Sequence, residues 1–469
     1  MFNNPLIKRY SFSTLRPKQV LMFGLMYVTV VCLILFINYS IFQYQDMFDT
    51  IGEFWQSLYY QFLVFQILFL WMWGSFNSNS AITDEIVNKS YDFFRLLPLP
   101  AWKKAVGVLI GKNLLVLHLA GINFVFLLVF GIAGKVDAML QVQIFLVLVS
   151  VAALVNIASL LSAIAVPPKK KNPNIIVIIL CMFFVMPYLM GGVVALSQQD
   201  EFQNTCGSFF GIDIPVLLLC FVIAVYFSVW AFKGVVRKFN REREPLFSVN
   251  GSFVFTIGFE FLCLGLFWKS IAGAIESVFS FWFVTFAAAA LTLFASLKSV
   301  NTYIEYSRVF LVKQKGLFGA LVSYSNMSVG FRLFVFWLIP AVGVIFVANE
   351  FSLAALMIVG VIASFYLFML LLAEMRVLYN TSNNKTGWLF GFIFILYLFV
   401  PLILAGAMDM SLISAFSPFG YVFSVYNGEI EDRGAVDTMV CVLNLILSVV
   451  PCLIVFKRYA LIAETRRRM

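Results

Sequence analysis

Long apolar runs dominate this sequence and leave it few ways to fold. Crossing the hydrocarbon core of a bilayer takes about 20 residues of α-helix, and twelve stretches of roughly that length are apolar enough. They lie near residues 20–39, 57–75, 107–133, 141–165, 175–195, 213–232, 252–271, 278–296, 333–348, 352–373, 387–407 and 438–456. A chain in lipid must satisfy its backbone hydrogen bonds internally. We therefore predict an all-α, polytopic membrane protein with about twelve transmembrane helices.

The composition agrees with a chain that lives in lipid. Hydrophobic residues make up 62% of the 469 positions and charged residues only 12%, against roughly 25% charged residues in a soluble domain. No stretch is polar enough to form a separate soluble domain. Any soluble motor that acts with this chain is therefore expected to be another polypeptide.

The distribution of basic residues predicts the orientation. A basic segment with Lys8, Arg9, Arg16 and Lys18 precedes the first apolar run, which is long enough to span and lacks a small-residue cleavage site after it. With the N-terminus in the cytoplasm, all but four of the 32 Lys and Arg residues fall in cytoplasmic segments, as the positive-inside rule requires. We expect both termini to be cytoplasmic, in the inner (plasma) membrane of a bacterium. The net charge of +9 then indicates contact with anionic lipid headgroups rather than nucleic acid.

Matched features suggest that residues 1–245 and 246–469 are two parallel six-span halves. Pro187 and Pro401 each lie about thirteen residues into the fifth span of their half, where a proline breaks the helical hydrogen-bond ladder. In both halves a longer outer segment follows, and then a last span that ends in Phe-Lys before a basic tail. Because proline is common in membrane spans, a chance match is the alternative.

A short charged segment between the second and third spans stands out, "KSYDFFRLLPLPAWKK" at residues 89–104. Between residues 82 and 97 apolar side chains are mixed with charges, a pattern that predicts a short helix lying at the membrane surface. Pro98 and Pro100 then end that helix, and Pro100 can form the turn into the next one. Such a stiff block, joined directly to a span, is suited to transmit force.

The order of these segments resembles the type-2 permeases of ABC transporters. A basic amphipathic entry segment, "NPLIKRYSFSTLRPKQ", precedes the first span, and the loop after the second span closes on "LPLPAWKKAVGVLIGK". Leu97, Pro98, Gly111 and Lys112 match the Leu-Pro…Gly-Lys step of that family. The later "SAFSPFGYVFS", at residues 414–424, is similar to its outer segment, whereas residues 297–332 lack a Leu-Pro corner.

The resemblance implies a substrate pore driven by separate ABC-type ATP-binding subunits, whose closure would swing the spans. One chain would act as a fused pair of permease units, or two chains as a homodimer. The residues expected to couple the pore to the ATPase are Asp84, Glu85, Lys89, Asp92, Phe94, Arg95, Pro98 and Pro100, with Glu305 and Arg308 in the second half.

The stretch "GVLIGKN", residues 107–113, differs from a phosphate-binding loop. It has three residues instead of four between its glycines, and Asn follows the Lys. We expect no ATP site in this chain and interpret Gly107 and Gly111 as points of close helix approach, with Lys112 reaching the inner face. The sequence has no CxxC pair and a single His, so no metal or cofactor is predicted.

Three polar residues inside predicted spans are candidates for the substrate pathway. A carboxylate near the middle of a span is costly and is a functional hypothesis by default. Glu260 could therefore line the pathway or bind a coupling proton, and a neutral, hydrogen-bonded glutamate is the alternative. His118 could be its partner or a satisfied packing residue. Asn156 is expected to form a hydrogen bond between helices.

The predicted function is that of the transmembrane subunit of an ATP-driven exporter. The alternative is a secondary transporter or lipid-linked flippase driven by an ion gradient, because size and span count fit it equally well. Such carriers use polar groups in several spans, and here only Glu260, Lys112, His118 and a few amides qualify. The sequence therefore favours an external motor. A membrane-embedded enzyme is disfavoured, since no cluster of Asp, His and Ser occurs at a membrane face.

Overall fold

The structure is a computed structural model that describes residues 4–44, 50–91, 96–165, 206–240, 245–271, 275–296 and 326–347, with single helical positions between 359 and 457. Apart from one two-stranded hairpin, the described elements are helical. The chain divides into two compact units. The first is Met1–Gly207 with Ile214–Glu242, and the second is Ser208–Asp213 with Arg243–Met469.

The helices follow the apolar runs closely. In the first unit they are α1 Pro5–Thr14, α2 Pro17–Tyr44, α3 Ile51–Ile67, a π-helical turn Leu68–Trp73, α4 Gly74–Val87, α5 Ala101–Lys112, α6 Leu114–Ala133, α7 Ala138–Ala165 and α8 Val216–Asn240. A hairpin of β1 (Cys206–Phe209) and β2 (Ile212–Pro215) precedes α8. The helices described over their full length in the second unit are α9 Val249–Ile271, α10 Ile275–Ser296 and α11 Asn326–Val347.

Six helices among the described residues are long and apolar enough to cross a membrane. They are Pro17–Gln43, Ile51–Val87, Leu114–Ala133, Ala138–Ala165, Val216–Asn240 and Asn250–Lys269. They coincide with predicted spans one to four, six and seven, so a helical, multi-pass membrane protein is confirmed. The predicted spans at 175–195 and 387–407, with Pro187 and Pro401, lie outside the described residues. Twelve spans, their division into two six-span halves and the side on which the termini lie stay predictions.

The second span helix is longer than the sequence predicts. α3, the π-turn and α4 form one uninterrupted helix of 37 residues, Ile51–Val87, about 55 Å long at a rise of 1.5 Å per residue. The hydrocarbon core of a bilayer is only about 30 Å thick. The prediction that a separate helix starts at residue 82 was wrong, because the polar stretch before it continues the helix with Ser75, Ser78 and Asn79 buried.

The predicted third span is interrupted at Asn113. α5 ends one residue before it and α6 begins one residue after it, with Asn113 at φ −92° and ψ 5°. Its side-chain amide donates to the Ser78 hydroxyl (2.8 Å) and to the Leu109 carbonyl (2.9 Å). The break is therefore supported by hydrogen bonds, and residues 107–112 belong to α5 rather than to the span.

Two apolar clusters hold the first unit together. An aromatic cluster lies among α3, α6 and α7, where the rings of Phe62 and Phe130 meet edge to face with centroids 4.9 Å apart. A second cluster forms where α1, α5 and the ends of α4, α7 and α8 converge, and includes the fully buried Ala105, Val108 and Leu160. Small side chains allow helix backbones to approach closely, which is a main source of packing energy between helices in lipid.

The core of the second unit contains two buried tryptophans. The Trp282 indole N–H donates to the Ala341 carbonyl (2.9 Å), and the Trp337 indole N–H donates to the Thr285 hydroxyl (3.2 Å). Both side chains are almost completely enclosed. Because each polar nitrogen is satisfied, these large rings can fix α10 against α11 without a desolvation penalty.

Two helices of the first unit end on a lysine in the left-handed conformation. Lys89 follows α4 with φ 57° and Lys135 follows α6 with φ 56°. After α4 the Ser90 N–H donates to the Glu85 carbonyl (2.9 Å), which is the long hydrogen bond of a Schellman motif, and the same pattern closes α6. Glycine usually occupies this position, so both lysines carry backbone strain.

We predict that Lys89→Gly and Lys135→Gly each stabilise the protein by about 1 kcal/mol, because the left-handed conformation costs an L-residue roughly 1–2 kcal/mol. Thermal unfolding in detergent measures this as a higher midpoint temperature. Lys89→Ala and Lys135→Ala are the matched controls, since they remove the same charge but keep the Cβ. An equal gain from alanine and glycine would show that charge, not backbone conformation, is responsible.

Candidate functional site

The end of the first unit that is predicted to be cytoplasmic is organised around α1. Asn4 caps this helix, with its Oδ1 accepting the Leu6 N–H (3.0 Å) and its Nδ2 donating to the Lys103 carbonyl (2.6 Å). Leu6 and Tyr10, one turn apart, are the buried residues of α1. Both belong to the second apolar cluster, where α1 meets α5. The basic entry segment is therefore a docked helix whose cap also holds the start of α5.

α1 packs closely against α5 at two glycines of α5. A Cβ atom at Gly107 would lie 2.8 Å from the Leu6 Cβ, and a Cβ atom at Gly111 would lie 2.7 Å from the Tyr10 ring. Both distances are shorter than carbon atoms tolerate, so any larger residue would push the two helices apart. The interpretation of Gly107 and Gly111 as points of close helix approach is confirmed.

Two ion pairs join the end of α4 to its neighbours. The Arg9 guanidinium on α1 lies 3.2 Å from the Glu85 carboxylate, and the Lys112 ammonium on α5 lies 3.5 Å from the Asp84 carboxylate. Glu85 also accepts a short hydrogen bond from the Ser90 hydroxyl. The Glu85 side chain is only 13% exposed, whereas the Arg9 side chain is 57% exposed, so solvent still screens this ion pair in part. We call α1, residues 81–90 and α5 together the inner block.

Tyr10 lies at the centre of the inner block. Burial raises the pKa of the Tyr10 phenol to about 12, and the nearby Glu85 carboxylate adds to the rise. The hydroxyl therefore stays protonated at physiological pH. It has no hydrogen-bond partner among the described residues, so the ring is held by packing and by the Arg9 guanidinium, which lies 5.8 Å from the ring centroid.

The structure describes half of the residues predicted to couple the pore to an ATPase. Asp84 and Glu85 are engaged within the inner block, and Lys89 forms the left-handed end of α4. Pro98 lies in the bend before α5, and Pro100 forms the turn into α5, as predicted, with φ −62° and ψ 144°. The other predicted residues, Asp92, Phe94, Arg95, Glu305 and Arg308, lie outside the described residues.

The π-turn in the second span is held by α7. The Asn156 amide on α7 donates to the Leu70 carbonyl (3.1 Å) inside the π-turn, and the Trp71 indole N–H donates back to the Leu148 carbonyl (3.0 Å). Gly74 makes room for this contact, since a Cβ there would lie 2.7 Å from the Asn156 Oδ1. The interhelical bond expected of Asn156 is confirmed, and its place in a substrate pathway stays a prediction. π-turns inside α-helices occur often at functional sites.

A buried network of hydrogen-bonded side chains links three helices of the first unit. The Tyr27 hydroxyl on α2 donates to the Asn123 Oδ1 on α6 (2.7 Å), and the Asn123 Nδ2 donates to the Gln66 Oε1 on α3 (2.6 Å). Sequence reasoning missed this hydrogen-bond network and the roles of Arg9, Tyr10 and Asn113. The available signal was the one that identified Asn156, a lone amide inside an apolar run.

The two ionisable pathway candidates have different surroundings. The His118 side chain is exposed on α6 in the first unit. Glu260 lies in α9 in the second unit with 6% of its surface exposed, and one of its carboxyl oxygens is enclosed without a hydrogen-bond partner among the described residues. Of these two candidates, Glu260 is the one that burial makes energetically costly.

No family model matches this sequence, and no curated protein or solved structure matches the chain. A function therefore has to be argued from the geometry of the residues themselves. In the first unit the end of α4 that belongs to the inner block and the π-turn that α7 holds lie on one continuous helix, Ile51–Val87.

We predict that Gly111→Ala destabilises the protein and loosens α1, although alanine favours a helix over glycine by up to about 1 kcal/mol. The new methyl group would collide with the Tyr10 ring. Thermal unfolding measures the loss, and faster proteolysis near residue 15 reports the release of α1. Gly121→Ala is the control, because a Cβ at Gly121 meets nothing within 4 Å. Equal effects of the two substitutions would contradict the close packing.

We predict that Asn156→Leu destabilises the first unit by about 0.6 to about 1.7 kcal/mol, the mean and the maximum measured for hydrogen bonds between membrane helices. It removes the donor to the Leu70 carbonyl and places a branched side chain against Gly74. Ala158→Leu, which adds the same side chain at an exposed position of the same helix, is the control. Unchanged unfolding of the Asn156 variant would mean that α7 does not hold the π-turn.

Proposed function

We propose that this chain is the transmembrane subunit of an ATP-driven exporter of the ABC type. The observation that carries the proposal is the 37-residue helix Ile51–Val87, which exceeds the bilayer core by about 25 Å and ends in the inner block. In the proposed assembly the chain is a bacterial inner-membrane protein, acts as a fused pair of permease units or as a homodimer, and binds separate ATP-binding subunits.

In this proposal the external motor displaces the inner block as a rigid unit. α1 is packed on the backbone of α5 at Gly107 and Gly111, and the end of α4 is ion-paired to both helices. A displacement applied to any one of them therefore moves the others. Because α4 continues without a break into α3, the displacement reaches the membrane interior along a single helix.

The segment between α4 and α5 is the proposed contact with the ATP-binding subunit. It begins at the left-handed Lys89 and ends at the turn formed by Pro100, and both of its ends are anchored in the inner block. Asp92 and Arg95 fall within it and would meet the partner. Asp84 and Glu85, which already have intramolecular partners, would act by holding the block in shape.

A specific observation keeps the alternative of an ion-driven carrier or lipid-linked flippase open. Glu260 is a buried carboxyl group at the middle of a span helix. Carriers that use a proton or cation gradient need such a group inside the membrane. The two functions differ in whether the chain alone can drive transport.

We predict that affinity purification of the tagged chain from native membranes recovers a soluble ATP-binding subunit, and that the complex hydrolyses ATP. Reversing both charges, Asp92→Arg with Arg95→Asp, is expected to abolish recovery of the subunit while the chain still inserts, because the proposed contact is lost. Uphill transport by the purified chain in vesicles, on an ion gradient and without nucleotide, would decide for the alternative.

A charge exchange within the inner block serves as the matched control. Glu85→Arg alone is expected to weaken recovery of the subunit, because it sets two cations against each other at the end of α4. Arg9→Glu combined with Glu85→Arg restores the ion pair in reverse and should restore recovery. If the exchanged pair stays as defective as the single variant, Glu85 contacts the partner directly rather than holding the block.

A further inference from the structure

α9 and α10 of the second unit form an antiparallel pair. α10 begins at Ile275, four residues after α9 ends at Ile271. At the other end of the pair the Phe247 N–H, just before α9, donates to the Ala295 carbonyl near the end of α10 (3.2 Å). Counting outward from the connection at equal rise per residue, Thr285 lies within one residue of the level of Glu260, and Thr292 lies within two residues of the level of Ser252.

A buried row of polar side chains leads along this pair to Glu260. On α9, Ser252, Thr256 and Glu260 follow one another at intervals of four residues and therefore share one face. They are 0%, 1% and 6% exposed. On α10, Thr285 and Thr292 are also almost fully buried. The row runs from the beginning of α9 to its middle.

Glu260 ends the row and lies at the midpoint of α9. It is eleven residues from either end of α9, about 16 Å at 1.5 Å per residue. One carboxyl oxygen is fully enclosed without a hydrogen-bond donor among the described residues. An ionised carboxylate in such a place would cost several kcal/mol.

No described charge in the second unit compensates Glu260. On its own helix, Lys269 is paired with Asp213 at 3.8 Å and both are exposed, and Cys263 on the next turn is a thiol. Apart from Glu276, whose side chain lies outside the described ones, α10 carries no charged residue, and on α11 Arg332 is exposed. The stable form of Glu260 in this setting is the neutral acid, which holds one proton.

We propose that Glu260 is a proton-binding site and that the hydroxyl groups of Ser252, Thr256 and Thr292 form the polar route by which protons reach it. The carboxylate takes one proton from water to become the acid and returns the same proton on release. A hydroxyl can accept one hydrogen bond while donating another, as such a route requires. The hydroxyls of Thr256 and Thr292 now donate to carbonyls of their own helices, at 3.0 and 2.6 Å, and keep lone pairs free to accept.

This site is independent of whether ATP drives transport. A proton bound in the second unit could travel with the substrate, move against it, or neutralise the pathway during an ATP-driven cycle. In each case the group that changes charge is Glu260. Recovery of an ATP-binding subunit does not depend on it, so the two proposals can fail separately.

The test is infrared spectroscopy of the full-length protein in lipid nanodiscs at pH 7. The C=O stretching band of a protonated carboxylic acid is expected in the native protein and lost in Glu260→Gln. Glu85→Gln, which removes an ion-paired carboxylate, should leave the band in place. Glu260→Asp, which keeps an acid, should retain a band and serves as the variant if glutamine prevents folding. A difference spectrum in which Glu260→Gln removes only carboxylate bands would overturn the proposal.

The route is tested by transfer of the same samples into D2O. The acid band is expected to shift as the proton exchanges with solvent, and the double variant Thr256→Val and Thr292→Val should retain the band but shift more slowly. Thr29→Val, at an exposed position of the first unit, is the control. An unchanged exchange rate in the double variant would overturn the hydroxyl route, while the presence of the band would still support the site.

Discussion

Hydrogen bonds from a few buried or half-buried amides fix the helix ends and helix breaks of the first unit. Helices in lipid gain little from the hydrophobic effect, so they associate through close packing and interhelical hydrogen bonds. Asn4 ties α1 to α5, Asn113 ties the α5–α6 break to α4, and Asn156 ties α7 to the π-turn. Each amide lies where a backbone irregularity or a helix end leaves a carbonyl or donor to satisfy. The irregular points of the fold are therefore also its fixed points.

The proposed coupling mechanism depends on that arrangement. The inner block is rigid because glycines bring α1 onto α5 and ion pairs fasten α4 to both. The helix Ile51–Val87 then carries any movement inward to the π-turn, where α7 holds it. In the second unit the polar row toward Glu260 provides a different element, a buried acid among hydroxyls. The mechanical elements of the proposed function thus lie in the first unit, and the proposed proton site, which does not depend on that function, lies in the second.

The length of the apolar runs was sufficient to predict where the described spans lie, because lipid imposes one solution on any run of that length. The helix ends were less predictable. α4 continues through a polar stretch only because Ser78 and Asn79 find partners on neighbouring helices, and the break at Asn113 depends on Ser78. Such tertiary hydrogen bonds leave no local signal. Within the candidate site, the glycine contacts were predicted, whereas the partners Arg9 and Tyr10 were not, since nothing in the sequence places α1 beside α5.

The π-turn has a consequence for the direction in which α4 faces. One residue more than an α-helical turn requires rotates everything after it by roughly 100° about the helix axis, the angle between successive residues. Asp84 and Glu85 reach Lys112 and Arg9 with that rotation included. Removing a single residue from Leu68–Trp73 would turn both carboxylates away from their cations. The wide turn therefore fixes the direction in which the two carboxylates point, and the hydrogen bond from Asn156 to the Leu70 carbonyl holds that turn in place.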